Sequence, residues 1–175
     1  MRYPYYLILF IAFLSIRCTQ EPQKIEEVAI IPKPTEQTIN TEEFLLKKTV
    51  SIQADEKLLS VSQYLVSFLV DEIGISVQPN KKKNQILLSI NQEIDNEEGY
   101  RLQITPSQVL IEASTQKGAF YGVQSLIQLF PANIDKTKPV AIPTLEIKDK
   151  PEFSYRGMHL DVGRHMYSVD FIKKY

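Results

Sequence analysis

The chain has 175 residues, 43% hydrophobic and 23% charged, with 20 lysines and arginines against 21 acidic residues and a formal net charge of −1. Such a balance, without a basic stripe, argues against a nucleic-acid partner. The single cysteine, Cys18, excludes an internal disulfide, so the folded body has to be held by its core.

The N-terminus comes first. One basic residue, Arg2, precedes an uncharged run from Tyr5 to Leu14. A run of about ten residues is half of what a spanning helix needs and matches the apolar core of a secretory signal. Leu14-Ser15-Ile16-Arg17-Cys18 resembles a bacterial lipoprotein signal, in which the cysteine becomes the lipidated first residue; Ile16 and Arg17 depart from the small residues usual there. The alternative is an inert or reactive thiol near a signal. Residues 1–18 are thus expected to direct export, to the periplasm or to a membrane-anchored lipoprotein of a bacterial cell envelope. Residues 19–28, polar and without apolar periodicity, read as a linker.

Residues 29–150 read as one folded unit. AIIPKPTEQTI is an extended lead-in, because Pro32 and Pro34 push their neighbours toward β or polyproline geometry. TVSIQ at 49–53 is a short strand. In DEKLLSVSQYLVSFLVDEIG, the apolar residues Leu58, Val61, Leu65, Phe68 and Leu69 fall on one helical stripe. Asp55 and Glu56 suit its N-terminus and Gly74 its C-terminal stop. ISVQP, QILLSI and GYRLQIT are strand candidates. The last pairs with QVLIEAS across Pro106-Ser107 as an antiparallel hairpin, since Tyr100, Leu102 and Ile104 alternate with polar residues. Lys81 to Lys83 mark a solvated turn. A second helix over about 118–129 carries Phe120, Val123, Ile127 and Phe130 on one side and stops before Pro131.

Strand, helix, several strands, helix, strand predicts an α+β fold: an antiparallel or mixed sheet with two helices on one face. Nothing within it clusters as a catalytic site. There is no P-loop, no metal-spaced set and no serine elbow, and no cofactor or metal is implied. Asp71-Glu72 and Glu97-Glu98 read as solvated surface.

Three stretches then stand out in order: IIPKPTE at 30–36, GAFYGVQSLIQLF at 118–130, and IPTLEIKDKPEFSYRGMHLDVGRHMYSVDFIKKY from Ile142 onward. Together they resemble the β-N-acetylhexosaminidases of glycoside hydrolase family 20, in the N-terminal domain and the entrance of the catalytic barrel. Residues 151–175 are, by that resemblance, the start of an incomplete (β/α)8 barrel, with Tyr155 to Asp161 as its first strand and Ser168 capping the helix that opens at Val169-Asp170. Gly118 and Gly122 let the second helix lie close on the sheet, and Gln124 and Gln128 are placed to bond neighbouring backbone. Gly157 marks a place where backbone or ligand comes close.

The resemblance implies hydrolysis of terminal N-acetylhexosamines by a retaining, substrate-assisted route, with a glycan or amino-sugar oligosaccharide as substrate. An adjacent Asp-Glu pair carries the chemistry in that family, and it lies far downstream of the Y-R-G motif. This chain is expected to lack it and to be inactive alone. Arg156 of Y-R-G is the implied sugar-binding residue, gripping the C3 and C4 hydroxyls with its planar fork; without the resemblance, the residue reads rather as a structural ion pair inside the barrel. Asp161, Arg164 and His165 are candidate supports of the pocket. Arg156 and Asp161, five apart, face opposite sides of a regular strand, and His165 reads as a hydrogen-bonded support rather than a base. The competing reading is a non-catalytic, surface-tethered scaffold or glycan-binding module. Against it, Met158, Leu160 and Phe171 would lack the barrel core they are expected to pack into, a patch that invites aggregation.

Overall fold

The computed structural model describes residues 21–25, 27–78 and 84–174. The signal segment with Cys18, and Lys81 to Lys83, lie outside the described residues. Among the described residues, eight strands form one sheet: β1 (Gln23–Lys24), β2 (Glu36–Leu46), β3 (Thr49–Ala54), β4 (Ser76–Val77), β5 (Gln85–Ile90), β6 (Tyr100–Ile104), β7 (Gln108–Ala113) and β8 (Val140–Asp149). Their order is β1-β8-β6-β7-β5-β3-β4, with β2 also pairing β8. Among the described residues, three α-helices follow the chain: α1 (Leu59–Asp71), α2 (Gln116–Gln128) and α3 (Val169–Lys174). The sheet is mixed, as β6 runs antiparallel to both β7 and β8 while β5 is parallel to β3 and β7.

Register explains the two faces of the sheet. Leu102 stands opposite Ile111 on one side and Ile147 on the other, and all three are buried. One residue along, Arg101 faces Glu112 and Lys148 on the solvated side, its guanidinium 3.5 Å from the Glu112 carboxylate. The period-two alternation read in GYRLQIT and QVLIEAS is this division. On the buried face, α1 contributes Val61, Leu65 and Leu69, and α2 contributes Ala119, Val123 and Leu126. Edge-to-face and tilted ring contacts (Phe68 with Phe130, Tyr64 with Phe120) join the helices to each other.

The helix ends follow their local chemistry. Gly74 adopts φ +75°, which turns the chain out of α1, and Ile75 N–H reaches back to the Leu69 carbonyl at 2.9 Å. Thr115 caps α2, its hydroxyl accepting from Lys117 N–H at 3.1 Å. Ser168 does the same for α3, accepting from Phe171 N–H at 3.2 Å. Asp55 departs from expectation. A 3-10 turn, Glu56–Leu58, precedes α1, and the Asp55 carboxylate accepts from Ile90 N–H at 2.7 Å, tying the turn to the end of β5.

Three further expectations are corrected. The lead-in is only partly extended: its strand character continues to Leu46 as the eleven-residue β2, antiparallel to β8. The buried side of α2 centres on Gly118, Gly122, Val123 and Leu126, whereas Phe120 is partly exposed and turned toward α1. Finally, Tyr155 to Asp161 forms no strand. A strand needs a neighbour for its N–H and C=O groups, and no described strand lies beside this segment. Of the expected barrel unit, the described residues contain only the helix. Tyr155 is 90% and Met166 96% exposed.

This division predicts unequal amide exchange. The strands β5 to β8 exchange only with global unfolding, whereas residues 157–174 of the 175-residue chain exchange within minutes. Hydrogen exchange read by mass spectrometry checks it, and slow exchange throughout the tail would contradict it.

Candidate functional site

The site grows from a loop, a helix and the tail. In the loop before β6, the Asn96 side chain accepts from Glu98 N–H at 2.8 Å while its carbonyl accepts from Gly99 N–H at 2.9 Å. The Ser114 hydroxyl donates to the same carbonyl, and the Thr115 hydroxyl to that of Glu97. The start of α2 therefore clamps the loop, and Gly118 makes the fit possible: a Cβ there would lie 2.2 Å from the Gly99 carbonyl oxygen. Gly122 lets α2 sit equally close on the sheet, since a Cβ would lie 2.7 Å from the Ile111 side chain. One turn along α2 from the clamp, Tyr121 stands beside Glu98.

Arg156 closes this corner from the tail. Its guanidinium forks onto Glu98, 2.9 Å from Oε1 and 3.2 Å from Oε2. It also donates to the Tyr121 hydroxyl at 3.0 Å and to the Phe153 carbonyl, and lies 5.9 Å over the Tyr121 ring centroid. Tyr121 donates in turn to Glu98 at 3.4 Å. The hydrogen bond from Arg156 holds the Glu98 carboxyl below the ordinary glutamate range, and Arg156 is held more firmly charged. A depressed carboxylate pKa means that the pair's contribution is present above glutamate's ordinary pKa. It is lost as pH falls through the lowered value. Glu98 is thus no idle surface acid, although Glu97 beside it is solvated and pairs loosely with Lys117 at 3.7 Å.

Beside the arginine opens a cleft of about 430 Å3, bordered by Tyr121, Gln124 and Gln128 of α2, by Thr35, and by Phe153 and Arg156 of the tail. Most of its polar groups bond to one another. Gln128 accepts from Ile31 N–H at 2.9 Å, the backbone bond expected of it. Asp149 accepts from the Thr35 amide at 3.0 Å and hydroxyl at 2.9 Å. At its inner end, the Tyr100 hydroxyl lies 2.6 Å from Ser125, and burial pushes its pKa up to about 12.

The remaining tail candidates form a separate group. Arg164 Nε lies 2.6 Å from Asp161, whose carboxylate also accepts from Gly163 N–H at 2.8 Å; together these bonds lower its pKa. The two side chains, three residues apart, close an exposed turn. His165 is exposed and has no hydrogen-bond partner among the described residues. No bond joins Arg156 to Asp161, and a Cβ at Gly157 would meet nothing nearer than the Tyr155 hydroxyl at 3.7 Å, so no backbone comes close there. Among the described residues no group of His, Cys, Asp and Glu could hold a metal, and no helix is long and apolar enough to cross a membrane.

The model of glycosyl hydrolase family 20, domain 2, matches residues 27–150. The chain belongs to glycoside hydrolase family 20. Among family members, it is 36% identical over 168 residues to a β-hexosaminidase of Porphyromonas gingivalis, covering 89% of this chain and 21% of that protein. A β-hexosaminidase of Vibrio vulnificus is 28% identical over 147 residues, covering 83% and 16%. The chain thus spans about a fifth of the length of these family 20 relatives. In structure it is similar to the β-N-acetylhexosaminidase of Streptomyces coelicolor A3(2), with TM-score 0.71 and 27% identity over 89% of this chain and 32% of that one. It is likewise similar to the Vibrio harveyi exo-β-N-acetylglucosaminidase in complex with N-acetylglucosamine, with TM-score 0.67 and 26% identity over 89% and 24%.

Proposed function

We propose that this chain is the front portion of an exported β-N-acetylhexosaminidase that removes terminal, non-reducing N-acetylhexosamines from glycans. The observation that carries the reading is a family 20 domain 2 that runs directly into the Y-R-G motif at residues 155–157. In the working enzyme, the sugar's acetamido oxygen bonds to the anomeric carbon as the bond to the leaving oxygen breaks. An adjacent Glu gives the leaving oxygen its proton, an Asp steadies the acetamido group, and water then opens the oxazolinium ion. Those two carboxylates belong to a segment downstream of Y-R-G, so the 175 residues by themselves turn over no glycoside. Arg156 holds the C3 and C4 hydroxyls, with Asp161 and Arg164 buttressing the loop after it and His165 beside them. Residues 29–150 serve as the platform, and residues 151–175 begin the barrel, the strand at 155–161 forming when its neighbours are present.

The signal-like N-terminus supports export, and Cys18 supports a lipid tether to the bacterial envelope. The test is the native protein of the source membrane fraction, assayed on a chromogenic N-acetyl-β-hexosaminide beside the recombinant 175-residue chain. Turnover by the native protein alone is the expected result.

A further inference from the structure

The segment read as a linker, residues 19–28, is stitched into the fold from Gln23 onward. The strand β1 pairs parallel with the start of β8, Gln23 opposite Val140 and Lys24 opposite Ala141. Gln23 N–H donates to the Pro139 carbonyl at 2.9 Å, and its side-chain amide bonds both ways to the Asp135 backbone, at 2.9 and 3.1 Å. Ile25 and Val28 pack against the core. Because the pairing is parallel, the chain before Gln23 leaves past the Val140 end of the sheet. Only Thr19 to Pro22 separate Cys18 from Gln23, a reach of at most about 18 Å.

That end of the sheet carries lysines. Lys47 and Lys48 join β2 to β3, and Lys136 and Lys138 precede β8; all four are exposed, as is Lys24. Lys48 donates to the Lys136 carbonyl, and its own carbonyl accepts from Ser76 N–H at 2.9 Å, tying these loops into one surface. Gln78 and Asn84 bond to β3 at the same end, and the stretch of sequence between them holds Lys81 to Lys83. The acids at this end, Glu21, Glu43, Asp71, Glu72 and Asp135, are outnumbered. Two of them are engaged: Glu43 pairs with Lys24 at 3.3 Å, and Asp135 accepts from the Thr137 amide and hydroxyl. The far end is acidic, with Asp55 after β3 and Asp95 and Glu97 in the loop before β6, and the tail departs there, after Asp149. The ten residues of β8 join the two ends; at about 3.4 Å each they set them about 30 Å apart.

We propose that the lysine-bearing end faces a membrane and takes anionic phospholipid headgroups, so that the domain is a pedestal holding the start of the barrel about 30 Å above the lipid. The proposal rests on the reading of the N-terminus as a membrane attachment. An anionic leaflet attracts lysines within a Debye length of about 10 Å, and the short reach from Cys18 leaves room for little else between this end and the headgroups. The same field repels the acidic end, which fixes the orientation.

The probe is the 175-residue chain on phosphatidylcholine vesicles with and without phosphatidylglycerol, at low salt. The apolar run from Tyr5 to Leu14 contributes on both, so the phosphatidylglycerol-dependent part of binding reports the charges. Lys47→Gln, Lys48→Gln, Lys136→Gln and Lys138→Gln together should weaken that part about tenfold, and added salt should remove the difference. Lys117→Gln with Lys150→Gln, at the acidic end, should leave it unchanged. Acetylation of the parent chain on the vesicles, read by mass spectrometry, needs no variant: Lys47 and Lys138 should be protected while Lys117 and Lys150 stay reactive. Equal protection at both ends, or a quadruple variant that binds as the parent does, overturns the pedestal alone. A native protein recovered from the soluble fraction overturns the attachment, and the pedestal with it, whatever the vesicles show.

Discussion

Replacing Arg156 by alanine in the complete enzyme is expected to lower kcat/KM at least a hundredfold. Two hydrogen bonds from a charged donor contribute about 1.5–3 kcal/mol each when their partners are desolvated, and about 3 kcal/mol is already more than a factor of a hundred. On the proposed role of Arg156, the loss should appear in both constants, because binding energy from the C3 and C4 hydroxyls would help hold the ring through the distortion that precedes bond breaking. Arg156→Lys should recover little, since an ammonium is a point charge without a planar fork. Stability should hardly change: the Glu98 pair is exposed, and such pairs contribute about 1 kcal/mol or less. Steady-state kinetics beside a thermal melt separates these effects. A variant with normal kcat/KM would confine Arg156 to its ion pair with Glu98.

The second large effect is on stability. Gly118→Ala places a methyl group where the Gly99 carbonyl oxygen already sits, 2.2 Å away, with the Ala113 side chain at 3.1 Å. The obstacle is backbone, so either the loop or α2 must move. Overpacking of this kind costs about 1–3 kcal/mol or more, against about 1 kcal/mol recovered from alanine's better helix propensity. A net loss of about 2 kcal/mol should lower the Tm of the 175-residue chain by about 8 °C. The same displacement separates Glu98 from Tyr121, so trypsin should also cut faster after Arg156. Gly157→Ala is the matched control: its nearest contact is 3.7 Å, and its Tm should not move. A Gly118→Ala chain as stable as the parent would mean that loop and helix are not in contact.

The buried alternation of β6 and β7 and the stripe on α1 could be read from sequence because each depends on one local period. The strand β2 could not: EQTINTEEFLL is polar for most of its length, and only its end is buried, at Phe44 and Leu46. Its pairing with β8 lies about a hundred residues away in sequence, beyond any local pattern. The same distance hid Glu98. Arg156 is 58 residues further on, and nothing in EEGY announces that one of two adjacent acids is clamped by an Asn turn while the other is solvated. A signal was present, however. The N-x-E spacing at Asn96 and Glu98, before a glycine, is a turn that aims the second acid. The tail shows the opposite case. Tyr155 to Asp161 has strand composition, but composition alone cannot supply the neighbours that a strand requires.

The most direct test of the central claim, that this chain is the front of a family 20 hydrolase, is the intact mass of the native hexosaminidase activity. The species is taken from the source membrane fraction with an antibody to residues 29–150 and assayed as it is weighed. A protein several times the 20.1 kDa of this chain, active on N-acetyl-β-hexosaminides, is the expected result. A species no heavier than the chain plus a lipid anchor, and inactive, would contradict it.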